Sequence, residues 1–224
     1  MDISIKMVVL DMAGTTVDEQ NVVYKTLQKA INNAGYQISL KEVLATGAGM
    51  EKLQAIQSIL QVYASVDDSA IAHTIFDNFE QLLDAAYKIY PIQPQPNAVE
   101  ALQALKVMGI TVVLNTGYSA RVAGIIIDKL GWKKGIQYDD LITASDVVAG
   151  RPAPDMIYLA AEKFGVNTTQ IVKVGDSVID IEEGKNAGCA LSIGITTGAH
   201  TIDQLKVARP DYIINNLMEL LSLV

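Results

Sequence analysis

The 224-residue chain is predicted to fold as an α/β protein, a doubly wound parallel sheet into which an all-helical block is inserted. Three observations predict it. From Val99 onward, helical and strand periods alternate, the order that builds a parallel sheet through crossover connections. Near the start, Met7-Val8-Val9-Leu10 is apolar on both faces and runs straight into Asp11, as a buried parallel strand does. Between these regions, from Asn21 to Tyr87, nothing alternates with the period of a strand, and apolar residues recur at helical spacing.

The elements follow in order. After the first strand, Gln20 to Ala34 places Val23, Leu27, Ala30, Ile31 and Ala34 on one helical face, and Gly35 ends the run. Ser39 is a candidate N-cap for a helix over Leu40–Leu44. A third helix spans Met50–Val62 with Leu53, Ile56, Ile59 and Leu60 inward, and a fourth spans Ser69–Tyr87. Pro91, Pro94 and Pro96 then form a stiff joint. Beyond it come a helix over Val99–Met108, a strand over Ile110–Thr116 and a Ser119-capped helix to Leu130. A short strand at Leu141–Thr143, a helix over Pro154–Phe164 and a strand over Ile171–Asp176 follow. The chain finishes with a helix to Ala187, a strand at Leu191–Ile195, a helix at Ile202–Val207 and a strand at Tyr212–Ile214. Residues 1–18 and 91–224 are therefore expected to form the α/β core and residues 19–90 a helical cap. Its two crossings, near Asp18–Gln20 and Tyr90–Pro96, suit a hinge over the strand ends.

Composition narrows the partners. Half of the residues are apolar, 19% are charged and the formal net charge is −8, so a nucleic-acid footprint is not expected. No apolar run approaches the roughly eighteen residues of a membrane span, and the N-terminus lacks the plan of a signal peptide. The single cysteine, Cys189, excludes an internal disulfide, leads into a strand as a structural thiol would, and fits a cytoplasmic location. The sequence leaves monomer and homodimer open.

Four strand ends or following loops carry polar groups: Asp11, then Thr116 in Asn115-Thr116-Gly117-Tyr118, then Arg151 in Gly150-Arg151-Pro152, then Asp176 and Asp180. A parallel sheet brings such ends to one edge, where open α/β sheets bind ligands. Clustered carboxylates cannot all ionise without a cation. An all-oxygen donor set favours Mg²⁺, and a metal beside a hydroxyl and a guanidinium suits a phosphoryl group. In that field Asp11 is a candidate nucleophile, forming an acyl phosphate that water hydrolyses.

These four motifs, in this order and with a helical cap after the first, resemble the haloacid dehalogenase superfamily over essentially the whole chain. More narrowly, Asp11-Met12-Ala13-Gly14-Thr15-Thr16-Val17-Asp18, Thr116-Gly117-Tyr118 and Gly150-Arg151-Pro152-Ala153-Pro154 resemble its phosphonatase branch, the phosphonoacetaldehyde hydrolases and their relatives. The resemblance implies a Rossmann-like core with a helical-bundle cap and a Mg²⁺-dependent hydrolase of a small phosphate or phosphonate. It implies Asp11 as nucleophile and metal ligand, with the Ala13 carbonyl and Asp176 as further ligands and Asp180 supporting the metal, directly or through water. Thr116, Gly117, Tyr118 and Arg151 would bind the phosphoryl end of the substrate.

Ala13 is the informative departure. In the usual phosphatase an Asp at this position protonates the leaving alcohol, a contribution of about a hundred- to ten-thousandfold. In the phosphonatase solution a cap lysine forms a Schiff base with the aldehyde, and the leaving carbon departs as an enamine. Lys52, in Gly49-Met50-Glu51-Lys52, has the implied spacing, whereas Ala55 stands where the branch has His and Ala48 where it has Met. Lys52 is thus either that lysine or an exposed helix lysine. His73 is expected to be a packed or partly exposed cap residue, His200 a loop residue near a strand end, and Trp132 part of the core or its cover. Three functions stay open: P–C cleavage through Lys52, P–O cleavage by a phosphoglycolate-type phosphatase, and a non-catalytic phosphometabolite sensor.

Overall fold

The computed structural model describes residues 4–224. Strand β1 (Met7–Asp11) lies at the centre of a six-stranded sheet. It is followed by β2 (Val17–Asp18), the helices α1 (Val22–Asn33), α2 (Leu40–Gly47), α3 (Lys52–Ala64) and α4 (Ser69–Ile89), and β3 (Gln93–Pro94). The remainder is α5 (Ala98–Val107), β4 (Thr111–Thr116), α6 (Ala120–Leu130), β5 (Asp140–Thr143), α7 (Asp155–Phe164) and β6 (Ile171–Gly175). It ends with α8 (Val178–Asn186), β7 (Leu191–Ile195), α9 (Ile202–Val207) and β8 (Tyr212–Ile214). The sheet order is β5-β4-β1-β6-β7-β8, with every neighbouring pair parallel.

The two-faced apolar pattern of β1 has a direct structural cause. Val8 and Leu10 point into the larger core, continuous with the helical block, while Met7 and Val9 point into a second core with Val113, Ile142, Met156 and Ile157. All four are fully buried, and each side chain of that size contributes about 1.5–3 kcal/mol when removed from water. Asp11 is the first polar residue the strand meets on reaching the sheet edge.

The four helices α1–α4 pack on one another through Leu27, Ile31, Ile56, Ile59, Leu60, Ile75 and Leu83. Local chemistry sets their starts. Ser39 and Glu42 form a reciprocal capping box on α2, and Asp68 caps α4. The predicted start of α3 at Met50 shifts to Lys52, because the Glu51 carboxylate accepts from the Leu53 and Gln54 amides and is itself the N-cap. One feature has no counterpart in the sequence reading: where the chain enters and leaves the helical block, β2 and β3 pair as an antiparallel ribbon, Val17 with Pro94 and Asp18 with Gln93. Two residues a side are too few to show a period, and a proline is tolerated on so short an edge.

Candidate active site

The loop after β1 folds back on itself: the Thr16 hydroxyl donates to the Asp11 carbonyl, and the Met12 carbonyl accepts the amides of Thr15, Thr16 and Val17. Gly14, at φ +84°, and Gly198 press their α-carbons so closely on the Asp176 carboxylate that any Cβ there would collide with it. Asp176 also accepts the Ala199 amide. Carboxylate oxygens of Asp11, Asp176 and Asp180 come within 4.8 Å of one another, all buried. The three sequence-predicted acids therefore meet. Burial pushes the Asp11 carboxyl up to about 6, Asp180 adding to it and Arg151 opposing it. Burial, Asp11 and Asp180 together push Asp176 well above the carboxylate range. Burial would raise Asp180 too, but Arg151 and Lys173 outweigh it and hold that group near 2.

Arg151 is fully enclosed. Its Nη1 lies 2.6 Å from Asp11 and 2.9 Å from Asp180, its Nε 2.9 Å from Glu183, and its Nη2 donates to the Asn115 side chain. Lys173 joins the network from β6, 2.8 Å from Asp180 and 2.9 Å from the Asn115 amide oxygen. Asn115 completes it by donating to both Glu183 oxygens at 3.0 Å. Asn115, Lys173 and Glu183 were not among the predicted site residues. Lys173 had a legible signal, since a lone charge in the apolar strand Ile171-Val172-Lys173-Val174 must find a carboxylate once buried. Glu183, beside Glu182 on a mixed helix, gives no local signal of which face is buried.

The enclosed groups also set a charge balance. With all four carboxyls ionised, Asp11, Asp176, Asp180 and Glu183 bring four negative charges against two positive ones from Arg151 and Lys173, a formal excess of −2 in a buried site. A divalent cation with oxygen ligands fits that remainder.

Above this cluster sits the start of α3. A Cβ on Gly117 would stand 2.6 Å from the Gly49 carbonyl oxygen and 2.8 Å from that of Met50, so the helical block rests backbone to backbone on the loop after β4. Thr116 is buried and its Oγ1 accepts the Tyr118 amide. Lys52 is 5% exposed, which excludes the exposed-helix-lysine reading. Its amine stands 5.1 Å from the Tyr118 ring centroid and 5.5 Å from that of Tyr24, and it donates to the Met50 carbonyl. Burial lowers its pKa to about 8, against the opposing pull of Glu51, Asp11 and Glu19. The Tyr24 hydroxyl accepts the Gly49 amide and so fixes the turn that presents Lys52.

Glu19 is a second group the sequence reading missed, because it lies in the linker taken for a hinge. It is buried, and its two carboxylate oxygens accept from Tyr87 at 2.8 Å and Tyr118 at 3.1 Å. Burial raises its carboxyl to about 7. His200 is occupied structurally: Nδ1 accepts the Val178 amide and Nε2 faces the Leu44 carbonyl, tying α2 to α8. His73 is exposed on α4, Trp132 is buried in the core, and burial pushes the Cys189 thiol up to about 12.

Free space here is small. About 50 Å³ is lined by Ala13, Gly14, Glu19, Tyr24 and Gly198, and about 20 Å³ by Lys52, Phe79, Leu83 and Tyr118. Among the described residues no helix is long and apolar enough to cross a membrane.

A parallel α/β sheet with a buried carboxylate cluster at its carboxyl edge and a helical block over it defines a class of hydrolases. Residues 5–188 match the haloacid dehalogenase-like hydrolase family, and the chain belongs to it. Among its relatives, a phosphonoacetaldehyde hydrolase of Lactiplantibacillus plantarum is 32% identical over 92% of this chain and 81% of its own length. A probable phosphatase, IndB, of Dickeya dadantii is 28% identical over 96% of this chain and 92% of its own. The crystal structure of a phosphonoacetaldehyde hydrolase-like protein from Oleispira antarctica superposes with a TM-score of 0.82 at 23% identity, covering 98% of this chain and 91% of that one.

Proposed function

We propose that this hydrolase is phosphonatase-like: it cleaves the P–C bond of a small phosphonylated aldehyde, with Asp11 as nucleophile and Lys52 as the imine-forming amine. The observation that carries the reading is the environment of Lys52. A lysine can attack a carbonyl only when neutral, and burial, which lowers the Lys52 pKa to about 8, makes the amine partly neutral near neutral pH. Ala13 then ceases to be a defect, because a carbon leaving as an enamine needs no acid at that position.

In this reading Asp11, Asp176 and the Ala13 carbonyl hold Mg²⁺, with Asp180 supporting it directly or through water. The metal supplies charge neutralisation at the phosphoryl oxygens. Thr116, Gly117 and Tyr118 orient the phosphoryl group, and Arg151, already against Asp11, neutralises the charge that gathers there. The Asp11 carboxylate attacks phosphorus in line, and water hydrolyses the resulting acyl phosphate. Residues 19–90 act as a cap on the core of residues 1–18 and 91–224. The cap lifts on the β2–β3 ribbon to admit substrate, since the spaces under it hold only water-sized guests.

A second reading, P–O cleavage of a phosphoglycolate-type ester, is favoured by Ala55 in place of the histidine of the phosphonatase pattern, and by the relative named as a phosphatase. Borohydride reduction in the presence of phosphonoacetaldehyde and Mg²⁺ separates the two. The expected result is a stable adduct that disappears in Lys52→Ala, together with phosphate release that disappears in Asp11→Asn. Phosphate release from esters without any adduct selects the second reading. Binding without turnover of either substrate class leaves a sensor.

A further inference from the structure

An imine site needs more than a neutral amine. The carbinolamine formed first must lose its hydroxyl, and that oxygen leaves only after taking a proton. The groups whose charge reaches Lys52 are Glu51, Asp11, Glu19 and Arg151. The Glu51 carboxylate is the N-cap of α3, and taking up a proton would weaken the cap that it makes with the Leu53 and Gln54 backbone amides. Asp11 is paired with Arg151 and is the phosphorus nucleophile, and a guanidinium does not give up its proton. Ala55, one turn beyond Lys52, carries no proton to give.

Glu19 remains. It enters from the β2–α1 linker and accepts hydrogen bonds from Tyr87 of α4 and Tyr118 of the loop after β4, while the Val23 amide and Tyr24 of α1 and Lys52 of α3 act on it electrostatically. The Tyr118 hydroxyl donates to it while the ring of the same residue forms a wall of the Lys52 site. We propose that Glu19 is the acid–base partner of Lys52, supplying the proton on which the carbinolamine hydroxyl departs. The step balances: the nitrogen lone pair forms the C=N bond, the C–O bond breaks, and the Glu19 acid protonates the departing oxygen. One water, one iminium and one carboxylate result, and the carboxylate offsets the new cation. Once the enamine carbon has taken a proton from solvent, hydrolysis of the resulting iminium runs the same transfer backwards and returns the proton to Glu19. A carboxyl held near 7 is partly protonated under the conditions in which the amine is partly neutral.

The proposal rests on the Lys52 imine reading, and its test keeps the two apart. Adduct formation with phosphonoacetaldehyde and borohydride is timed by rapid quench across pH 5.5–9 for wild type, Glu19→Gln and Tyr87→Phe, each with Mg²⁺. Gln keeps the size and one of the two accepting oxygens of Glu19 but has no acidic proton to transfer. Its adduct rate at pH 7 is expected to fall roughly a hundredfold, and the decline on the alkaline side of pH 7 to vanish. Tyr87→Phe removes a bond that favours the carboxylate, so the same decline should move to higher pH, a direction that a merely structural role does not predict. Wild-type rates and an unmoved profile in both variants overturn the role of Glu19 while leaving the imine intact. Absence of any adduct in the wild type overturns the imine, and the Glu19 role with it.

Discussion

At the scale of the residue, Lys52 shows a site held against its own stability. It is the first residue of α3, where the helix dipole already disfavours a cation, and it is buried as well. Its pKa falls from 10.5 unfolded to about 8 folded, so the unfolded chain binds the proton more tightly. The resulting cost is fully present below pH 8, shrinks between pH 8 and 10.5, and is gone above. It amounts to about 3 kcal/mol at neutral pH. Lys52→Met keeps the length of the side chain and removes the charge. The variant should unfold at higher temperature than wild type at pH 7, the gap narrowing towards pH 10, while adduct formation is lost. Calorimetry at the two pH values checks this, and a gap independent of pH would contradict the assigned burial of the amine. The Gly-x-x-Lys spacing around this residue was visible in the sequence. Its burial was not, because the enclosing rings come from Tyr24 and Tyr118, far away in the chain.

At the scale of the element, the strand ends decided what could be read in advance. Asp11, Thr116 and Asp176 each close a mostly apolar run that reads as a buried strand, so the sheet edge that gathers them was legible in the sequence. Glu19 and Glu183 lie in a linker and on a mixed helix, where local pattern says nothing about which face is enclosed. The seat of α3 on the β4 loop was equally hidden, since it depends on two backbones with nothing between them. That contact gives a test. Gly117→Ala places a methyl group 2.6 Å from the Gly49 carbonyl oxygen, and backbone on the far side cannot swing away as a side chain would. The turn bearing Lys52 must lift. A fall in kcat/KM of at least about tenfold is expected, since small misplacements of reacting groups are costly in rate. The sheet, whose own contacts are untouched, should keep its unfolding temperature within a few degrees. Full activity in this variant would show that the helical block need not seat for catalysis.

At the scale of the whole molecule, the fold concentrates carboxylates in its interior in a cluster that a divalent cation fits. Asp11, Asp176, Asp180 and Glu183 exceed Arg151 and Lys173 by two charges, and the raised carboxyls of Asp11 and Asp176 express that excess as a tendency to hold protons. A divalent cation relieves it only in the folded chain, where the carboxylates are brought together. Mg²⁺ at a hundred times its dissociation constant should therefore stabilise by about 2.7 kcal/mol, roughly 5–10 °C for a chain of this length. Asp176→Asn removes one of the repelling charges and one ligand together. Without metal the variant should melt above wild type, and Mg²⁺ should move its transition little. Thermal unfolding of both proteins, with EDTA and then across a Mg²⁺ titration, reads the two effects separately. A wild-type transition indifferent to Mg²⁺ would mean that the excess charge is balanced by bound protons, and Asp11 would then lack the neutralising field that a phosphorus nucleophile needs.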